Sequence, residues 1–95
     1  MATIEREFIH SPDAKLDYGF DYSKWLEQGE TIVTSSWIVD AGLTKSQEQN
    51  ISNITSVFVE GGVAASSYKL TNYIVTSAGR KDSRVMKLYC KQNTV

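Results

Sequence analysis

The chain has 95 residues, of which 41% are hydrophobic and 11% aromatic, and this is enough for one small core but not for two. Its 10 lysine and arginine residues against 11 aspartate and glutamate residues leave a net charge of −1, which argues against binding nucleic acid through its phosphates. No apolar run approaches the roughly 20 residues that a membrane-spanning helix needs. We therefore expect one domain, with no nucleic acid and no membrane among its partners.

The first twelve residues predict an N-terminal arm or an edge strand. Phe8 and Ile9 lie here among charged side chains, and the pair Ser11–Pro12 favours a turn. We therefore divide the chain into this segment, 1–12, and a domain over 13–95. His10 has no neighbour in the sequence that would make it a catalytic base, so we expect it on the solvated surface.

Residues 15–22 predict the clearest strand, because aromatic and polar side chains alternate strictly along KLDYGFDY. One face is aromatic and the other carries Asp17 and Asp21. These two carboxylates would lie roughly 13 Å apart at strand spacing, too far to share a Ca²⁺ ion, and Asp13 completes no calcium-loop pattern with them. The acidic face is therefore predicted to be solvated, and no metal site is expected.

The alternation breaks at residues 23–28, where the sequence favours one short helical turn. Ser23 can cap the free amides of such a turn, and Gly29 can end it in a left-handed conformation. The turn would hold Trp25 and Leu26 over one end of the core.

The next segment, TIVTSSWIV, is rich in β-branched residues and predicts a strand that ends before Gly42. Strict alternation places Val33, Trp37 and Val39 on one face and Ile32 and Ile38 on the other. Residues 43–54 are mostly polar and are predicted to be a loop, with a weak strand as the alternative.

The last third of the chain predicts three strands. SVFVEGG is a short strand stopped by two glycines, and residues 66–90 read as two strands joined by a turn around Ala78–Gly79–Arg80. Tyr68 follows a glycine-rich corner and has the placement of a tyrosine corner, whose ring is buried and whose hydroxyl bonds to upstream backbone. We therefore predict an all-β fold: a single immunoglobulin-like antiparallel β-sandwich of six or seven strands.

The alternation also predicts the core. Cys90 is in phase with Met86 and Leu88, so we expect the thiol to pack as a small apolar group, and a lone cysteine forms no internal bridge. The predicted core residues are Tyr18, Phe20, Trp37, Val57, Val59, Tyr68, Leu70, Ile74, Met86 and Leu88.

Some residues have no internal role in this scheme, and these are the predicted partner-binding residues. They are Phe8 and Ile9 in the first segment, and Gly79, Arg80 and Lys81 in the basic turn, with the polar segment 43–54 as a further candidate. Loops and termini of this kind gain contacts on docking. Because the sequence shows no acid–base pair, metal cluster or phosphate-binding loop, we expect no catalytic residues, no metal and no cofactor.

Two long segments resemble short virion proteins of tailed bacteriophages, the fiber-tail adaptors and head-tail joining proteins. The segments are 11–44 and 57–90, and their most specific parts are LDYGFDYSKWL, GETI with SSW, and YKLTNYIVTSAGRKDSR. Tyr22 departs from the pattern, because relatives often have tryptophan there, but it remains aromatic. The resemblance implies a non-enzymatic immunoglobulin-like domain, present in multiple copies in a virion that is assembled in the bacterial host cytoplasm.

The resemblance further implies a structural protein that joins tail or neck proteins to fibers. Its partners would be other virion proteins of the tail, neck, fiber or capsid. One alternative is a capsid decoration protein that reinforces the shell, and a weaker one is an adhesive module that binds a host glycan. The number of copies per particle distinguishes the joint from the decoration protein, because about a dozen copies suit a joint in a tail or neck and hundreds suit decoration of the shell.

Overall fold

A computed structural model describes residues 4–91 of the protein, which form seven strands in two packed sheets. The strands are β1 (Ile4–His10), β2 (Lys15–Asp21), β3 (Ile32–Val39), β4 (Leu43–Ile51), β5 (Ile54–Gly61), β6 (Ser67–Thr76) and β7 (Lys81–Cys90). One sheet has the order β1-β7-β6-β3 and the other the order β2-β5-β4. The predicted all-β sandwich is therefore confirmed.

The strand pairs are antiparallel with one exception, because β1 pairs with β7 in parallel. The prediction of a wholly antiparallel sandwich is wrong for this pair. Parallel neighbours need a long connection between them, and here nearly the whole domain lies between β1 and β7. The chain then crosses from β1 to β2 in the opposite sheet, which leaves β1 as an edge strand.

The polar segment 43–54 was predicted to be a loop, with a weak strand as the alternative, and it contains β4 and the start of β5, so the loop is wrong. Its polar side chains bond to the backbone of β3 across the two sheets. Glu48 accepts a hydrogen bond of 2.8 Å from the Trp37 amide, and Asn50 donates one of 3.1 Å to the Ile32 carbonyl. Apolar alternation cannot reveal a strand that is held in this way.

No helix forms at residues 23–28, so the predicted helical turn is not found. The segment instead makes hydrogen-bonded turns in which the Trp25 and Leu26 amides donate to the Tyr22 carbonyl at 2.9 and 3.0 Å. The turn cannot extend because Gly29 follows with a positive φ of 80°. Trp25 and Leu26 still pack against the core, as predicted.

The predicted strand faces are confirmed except in β3. All ten residues of the predicted core are buried, and Cys90 is buried with them. In β3, however, Ile32 is buried while Val33 is 59% exposed. A register shift between Ile32 and Thr34 inserts an extra residue, and such a bulge reverses which face each side chain occupies.

Tyr68 forms the predicted tyrosine corner. Its ring is buried, and its hydroxyl accepts a hydrogen bond of 2.9 Å from the Val63 amide five residues upstream. Gly42 packs against the Tyr68 ring, where an added Cβ would lie 2.9 Å from Cε1. The bond and this close approach fix the connection between β5 and β6.

A buried polar cluster around Asn72 joins the two sheets through the centre of the core. The Asn72 side-chain oxygen accepts hydrogen bonds from the Tyr22 hydroxyl at 3.0 Å and the Thr55 hydroxyl at 2.8 Å. Its amide nitrogen donates to the Ser35 hydroxyl and the Ser36 carbonyl, each at 2.9 Å. The cluster therefore connects β2 and β5 to β6 and β3 with all polar atoms of Asn72 bonded.

Candidate partner-binding surfaces

The first predicted surface lies on β1, where Phe8 and Ile9 face opposite sides of the sheet. The Phe8 ring packs 5.6 Å from the Tyr18 ring, measured between centroids, and only its outer part is exposed. Ile9 is 65% exposed and lies in register with Tyr89 of β7, which is also exposed. Ile9 and Tyr89 thus form a small apolar patch, which we call the Ile9–Tyr89 patch, at the edge of the four-stranded sheet.

His10, the next residue, is fully buried, so its predicted place on the solvated surface is wrong. A hydrogen bond of 2.6 Å joins its Nδ1 to the Tyr18 hydroxyl on β2. The alternation of β1 turns His10 inward once the strand pairs with β7. His10 therefore links the first strand to the opposite sheet and is one of the residues that hold β1 in place.

We expect the protein to lose stability as the pH falls below 6.5, because burial lowers the pKa of His10 more than a backbone contact with Ala14 raises it. The folded state then binds fewer protons than the unfolded state between the two pKa values, so acid favours unfolding. Burial raises the pKa values of its neighbours Tyr18 and Cys90, which keeps them uncharged in this range.

Thermal melts of the wild-type protein and His10→Asn between pH 8 and pH 5.5 measure this effect. The asparagine variant should have the lower melting temperature at pH 8 and a smaller decrease on acidification. Equal decreases for both proteins would show that His10 is not the titrating group.

The second predicted surface is the turn between β6 and β7, where Gly79 has a φ of 81° and open space around it. Arg80 does have an internal role here, contrary to the prediction. Its guanidinium donates to both carboxylate oxygens of buried Glu30, at 2.6 and 2.9 Å, and lies 4.0 Å from the centre of the Trp25 ring. Lys81 is exposed beside it. Gly79 and Lys81 have no internal contact of this kind with the described side chains, and the Arg80 side chain is still 38% exposed, so partner binding at all three turn residues stays a prediction.

We expect Glu30→Gln to lower the melting temperature at neutral pH. Hydrogen bonds from Arg80 and Thr76 lower the pKa of Glu30 from 4.5 to about 2. This stabilisation is fully present above pH 4.5 and is lost as the pH falls towards 2. The difference between wild type and variant should therefore shrink from pH 6 to pH 2 in a series of thermal melts.

Glu27→Gln is the control for this series, because Glu27 is a nearby exposed glutamate. It should melt close to wild type at every pH. A Glu30→Gln variant that melts like wild type at pH 6 would contradict the assigned role of the ion pair.

The structure does not bring the two predicted surfaces together. Phe8 pairs with Leu88 of β7, whereas Arg80 lies just before β7 begins. The eight residue steps from Arg80 to Leu88 span about 26 Å in an extended strand. The protein therefore presents two separate candidate contact regions rather than one site.

Other exposed residues were not predicted as contacts. Ile38 of β3 and Tyr73 of β6 are both on the outer face of the four-stranded sheet and are exposed. The sequence alternation predicted that both side chains point away from the core. It gave no sign that the outer faces of β3 and β6 lie side by side. As predicted, Asp17 and Asp21 occupy an exposed face of β2.

Among the described side chains, those of residues 7–91, no group of three or more histidine, cysteine, aspartate and glutamate residues could hold a metal ion. No helix within residues 4–91 has the length and apolar character of a membrane span.

Comparison with solved structures shows the fold class. The PKD domain from the KIAA 1837 protein, in its solution structure, superposes with a TM-score of 0.57 at 15% identity and covers 100% of this chain and 87% of that one. The 2,6-sialyltransferase of Vibrionaceae Photobacterium sp. JT-ISH-224 superposes with a TM-score of 0.52 at 18% identity, over 94% of this chain but 17% of that one. Identities this low show the fold alone, which is an immunoglobulin-like sandwich.

Comparison of sequences identifies the family. No curated protein sequence matches the chain significantly. Residues 10–89, by contrast, match the family described as podophage GP4 fiber-tail adaptor protein gp77. The match runs from the end of β1 to the penultimate residue of β7, so it includes both sheets and nearly all of the core. The chain therefore belongs to the podophage GP4 fiber-tail adaptor protein gp77 family.

Proposed function

We propose that this protein is a non-enzymatic structural component of a podophage virion that joins tail or neck proteins to fibers. The observation that carries the proposal is the family match over residues 10–89. The chemistry of the fold agrees with it, because the residues that bond in the core hold the two sheets together. The exposed side chains, in turn, are arranged as surfaces rather than as a catalytic site.

The proposed contact with one partner is the Ile9–Tyr89 patch together with the outer part of Phe8. An edge strand with exposed apolar side chains is a surface that a second protein can cover.

The proposed contact with another partner is the turn at Gly79 and Lys81. Arg80 supports this contact indirectly, because its bonds to Glu30 fix the shape of the turn.

Two contacts about 26 Å apart suit a joint, because each can bind a different neighbour. Multiple copies per particle are also proposed, since fibers attach to tails at symmetry-related positions. The protein would then be found in the virion after assembly in the cytoplasm of the bacterial host.

The test of the proposal is a phage in which the gene for this protein is inactivated. The expected particles have filled heads and complete tails but lack fibers in electron micrographs. Particles that keep their fibers but have fragile shells would overturn the joint and favour capsid decoration instead. A count of copies in a map of the intact virion, near a dozen or in the hundreds, checks the same choice independently.

The contact on β1 is tested by Ile9→Asp in the same phage, with Ile51→Asp as the matched control. Ile51 is 62% exposed, close to the 65% of Ile9, but lies on β4 in the other sheet. Ile9→Asp should keep the melting temperature of the isolated protein within a few degrees and reduce its incorporation into particles. Equal incorporation of both variants would rule out the Ile9–Tyr89 patch as a contact.

A further inference from the structure

The two open sides of the sandwich differ in how their strand edges are protected. On one side, β3 and β4 lie close together, and side chains of β4 bond to the free backbone of β3. Lys45 donates to the Trp37 carbonyl, Glu48 accepts from the Trp37 amide, and Asn50 donates to the Ile32 carbonyl. Such bonds prevent another strand from pairing with that edge.

On the opposite side, β2 has a free edge. Its register with β5 shows which backbone groups of β2 point toward that edge. Asp21 of β2 pairs with Ile54 of β5, so the next pair along the ladder is Tyr22 with Asn53. The Tyr22 amide donates to the Asn53 carbonyl, which makes Tyr22 and Asn53 a hydrogen-bonded pair. Hydrogen-bonded pairs alternate along an antiparallel ladder. Leu16, Tyr18 and Phe20 therefore bond to β5, and the backbone groups of the residues between them point away from it.

The backbone of Lys15, Asp17 and Gly19 therefore faces the free edge, and no side chain of residues 7–91 is bonded to it. Asp21 shows the same orientation, since its carbonyl accepts a bond of 3.4 Å from Arg84. The Arg84 guanidinium lies 4.1 Å from the Tyr22 ring centre and 3.9 Å from the Asp82 carboxylate. It closes the edge at Asp21 and leaves the stretch from Lys15 to Phe20 open.

A groove with a volume of about 540 Å³ overlaps this stretch from Asp17 onward. Its walls include the strand from Asp17 to Asp21, Ile54 and Ser56 of β5, and Arg84. Gly19 contributes no side chain to the groove, and none fits there because an added Cβ would overlap the Thr55 carbonyl oxygen of β5. The Asp17 carboxylate is exposed at the groove and forms no ion pair with any side chain of residues 7–91, whose side chains the structure describes.

We propose that the free edge of β2 binds an extended, basic segment of a partner virion protein as an added strand. Backbone hydrogen bonds to Asp17 and Gly19 would hold the segment, as in other complexes formed by strand addition. A lysine or arginine of the segment would lie beside Asp17, where opposite charges on neighbouring strands attract. The inference rests on the proposed function in one respect, namely that the segment belongs to another virion protein.

The test uses two synthetic nine-residue peptides and the isotope-labelled full chain. One peptide alternates threonine and valine with lysine at its two central outward positions, and the other has glutamate at those positions. In NMR titrations the lysine peptide should shift the amide signals of residues 15–19 and slow the hydrogen exchange of Asp17 and Gly19. Signals of β3 should stay unchanged, because that edge is blocked.

Charge reversal at Asp17 tests the proposed chemistry. Asp17→Lys should weaken binding of the lysine peptide about 3-fold to 10-fold and strengthen binding of the glutamate peptide. Asp13→Lys, at an exposed aspartate before β2, is the control and should change neither. No shift at residues 15–19, or equal binding of both peptides to the wild type, would overturn the inference.

A phage carrying Asp17→Lys separates this inference from the proposed function. Reduced fiber attachment with a normally folded protein supports strand addition in the particle. Normal fiber attachment, together with fiber loss when the gene is inactivated, would reject the β2 edge as the contact while the role as a joint stands.

Discussion

Replacement of Trp37 by alanine is expected to lower the free energy of unfolding by about 3–5 kcal/mol, the usual cost of a large aromatic truncation in a core. Trp37 is the largest fully buried side chain, and its ring stacks on Phe20 at 5.7 Å between centroids with an interplanar angle of 8°. The two rings come from different sheets, so the truncation opens a cavity between the layers. Urea titration of both proteins measures the loss.

Ile38→Ala is the matched control for Trp37→Ala, because Ile38 is the next residue of β3 and points to solvent. Its free energy of unfolding should stay within about 0.5 kcal/mol of wild type. If the two variants unfold at the same urea concentration, the packing described for β3 is wrong.

Period-two alternation predicted the parts of the fold where one face of a strand is buried and the other is wet. β2 and β6 are the clearest cases, since inward and outward residues follow the sequence pattern along most of each strand. The pattern fails where something other than apolar burial holds the strand. β4 is polar because its side chains bond to β3, and β3 changes face at its bulge.

The candidate surfaces were predictable only in part. Phe8 and Ile9 were predicted because apolar side chains among charged ones need an explanation, and their part in partner binding stays a prediction. The ion pair of Arg80 with Glu30 could not be predicted, because the two residues are 50 positions apart and nothing in the local sequence indicates that they meet. The free edge of β2 was equally hidden, since an edge is a property of the sheet order and not of a single strand.

His10 shows how the same limitation affects a single residue. A histidine with no chemical partner in the sequence suits the surface, but the parallel pairing of β1 with β7 brings it over Tyr18. The parallel pairing depends on the two ends of the domain meeting. Local sequence carries little information about such contacts.

Asn72→Ala is expected to lower the free energy of unfolding by about 2–4 kcal/mol, although it removes few atoms, because each buried polar group that loses its partner costs about 1–3 kcal/mol. The substitution deprives the Tyr22 and Thr55 hydroxyls of a shared acceptor and the Ser36 carbonyl of a donor. Thr71→Ala, on the neighbouring position and the opposite face of β6, is the control and should cost far less.

A double-mutant cycle with Thr55→Val distinguishes the cluster from simple loss of packing. Thr55→Val keeps the volume of the side chain and removes the hydroxyl that donates to Asn72 at 2.8 Å. In the Asn72→Ala background that hydroxyl is already without this acceptor, so removing it should cost about 1 kcal/mol less than in the wild type, or even stabilise the protein. Additive losses measured by urea titration would show that the two residues act independently and that the cluster does not join the sheets as one unit.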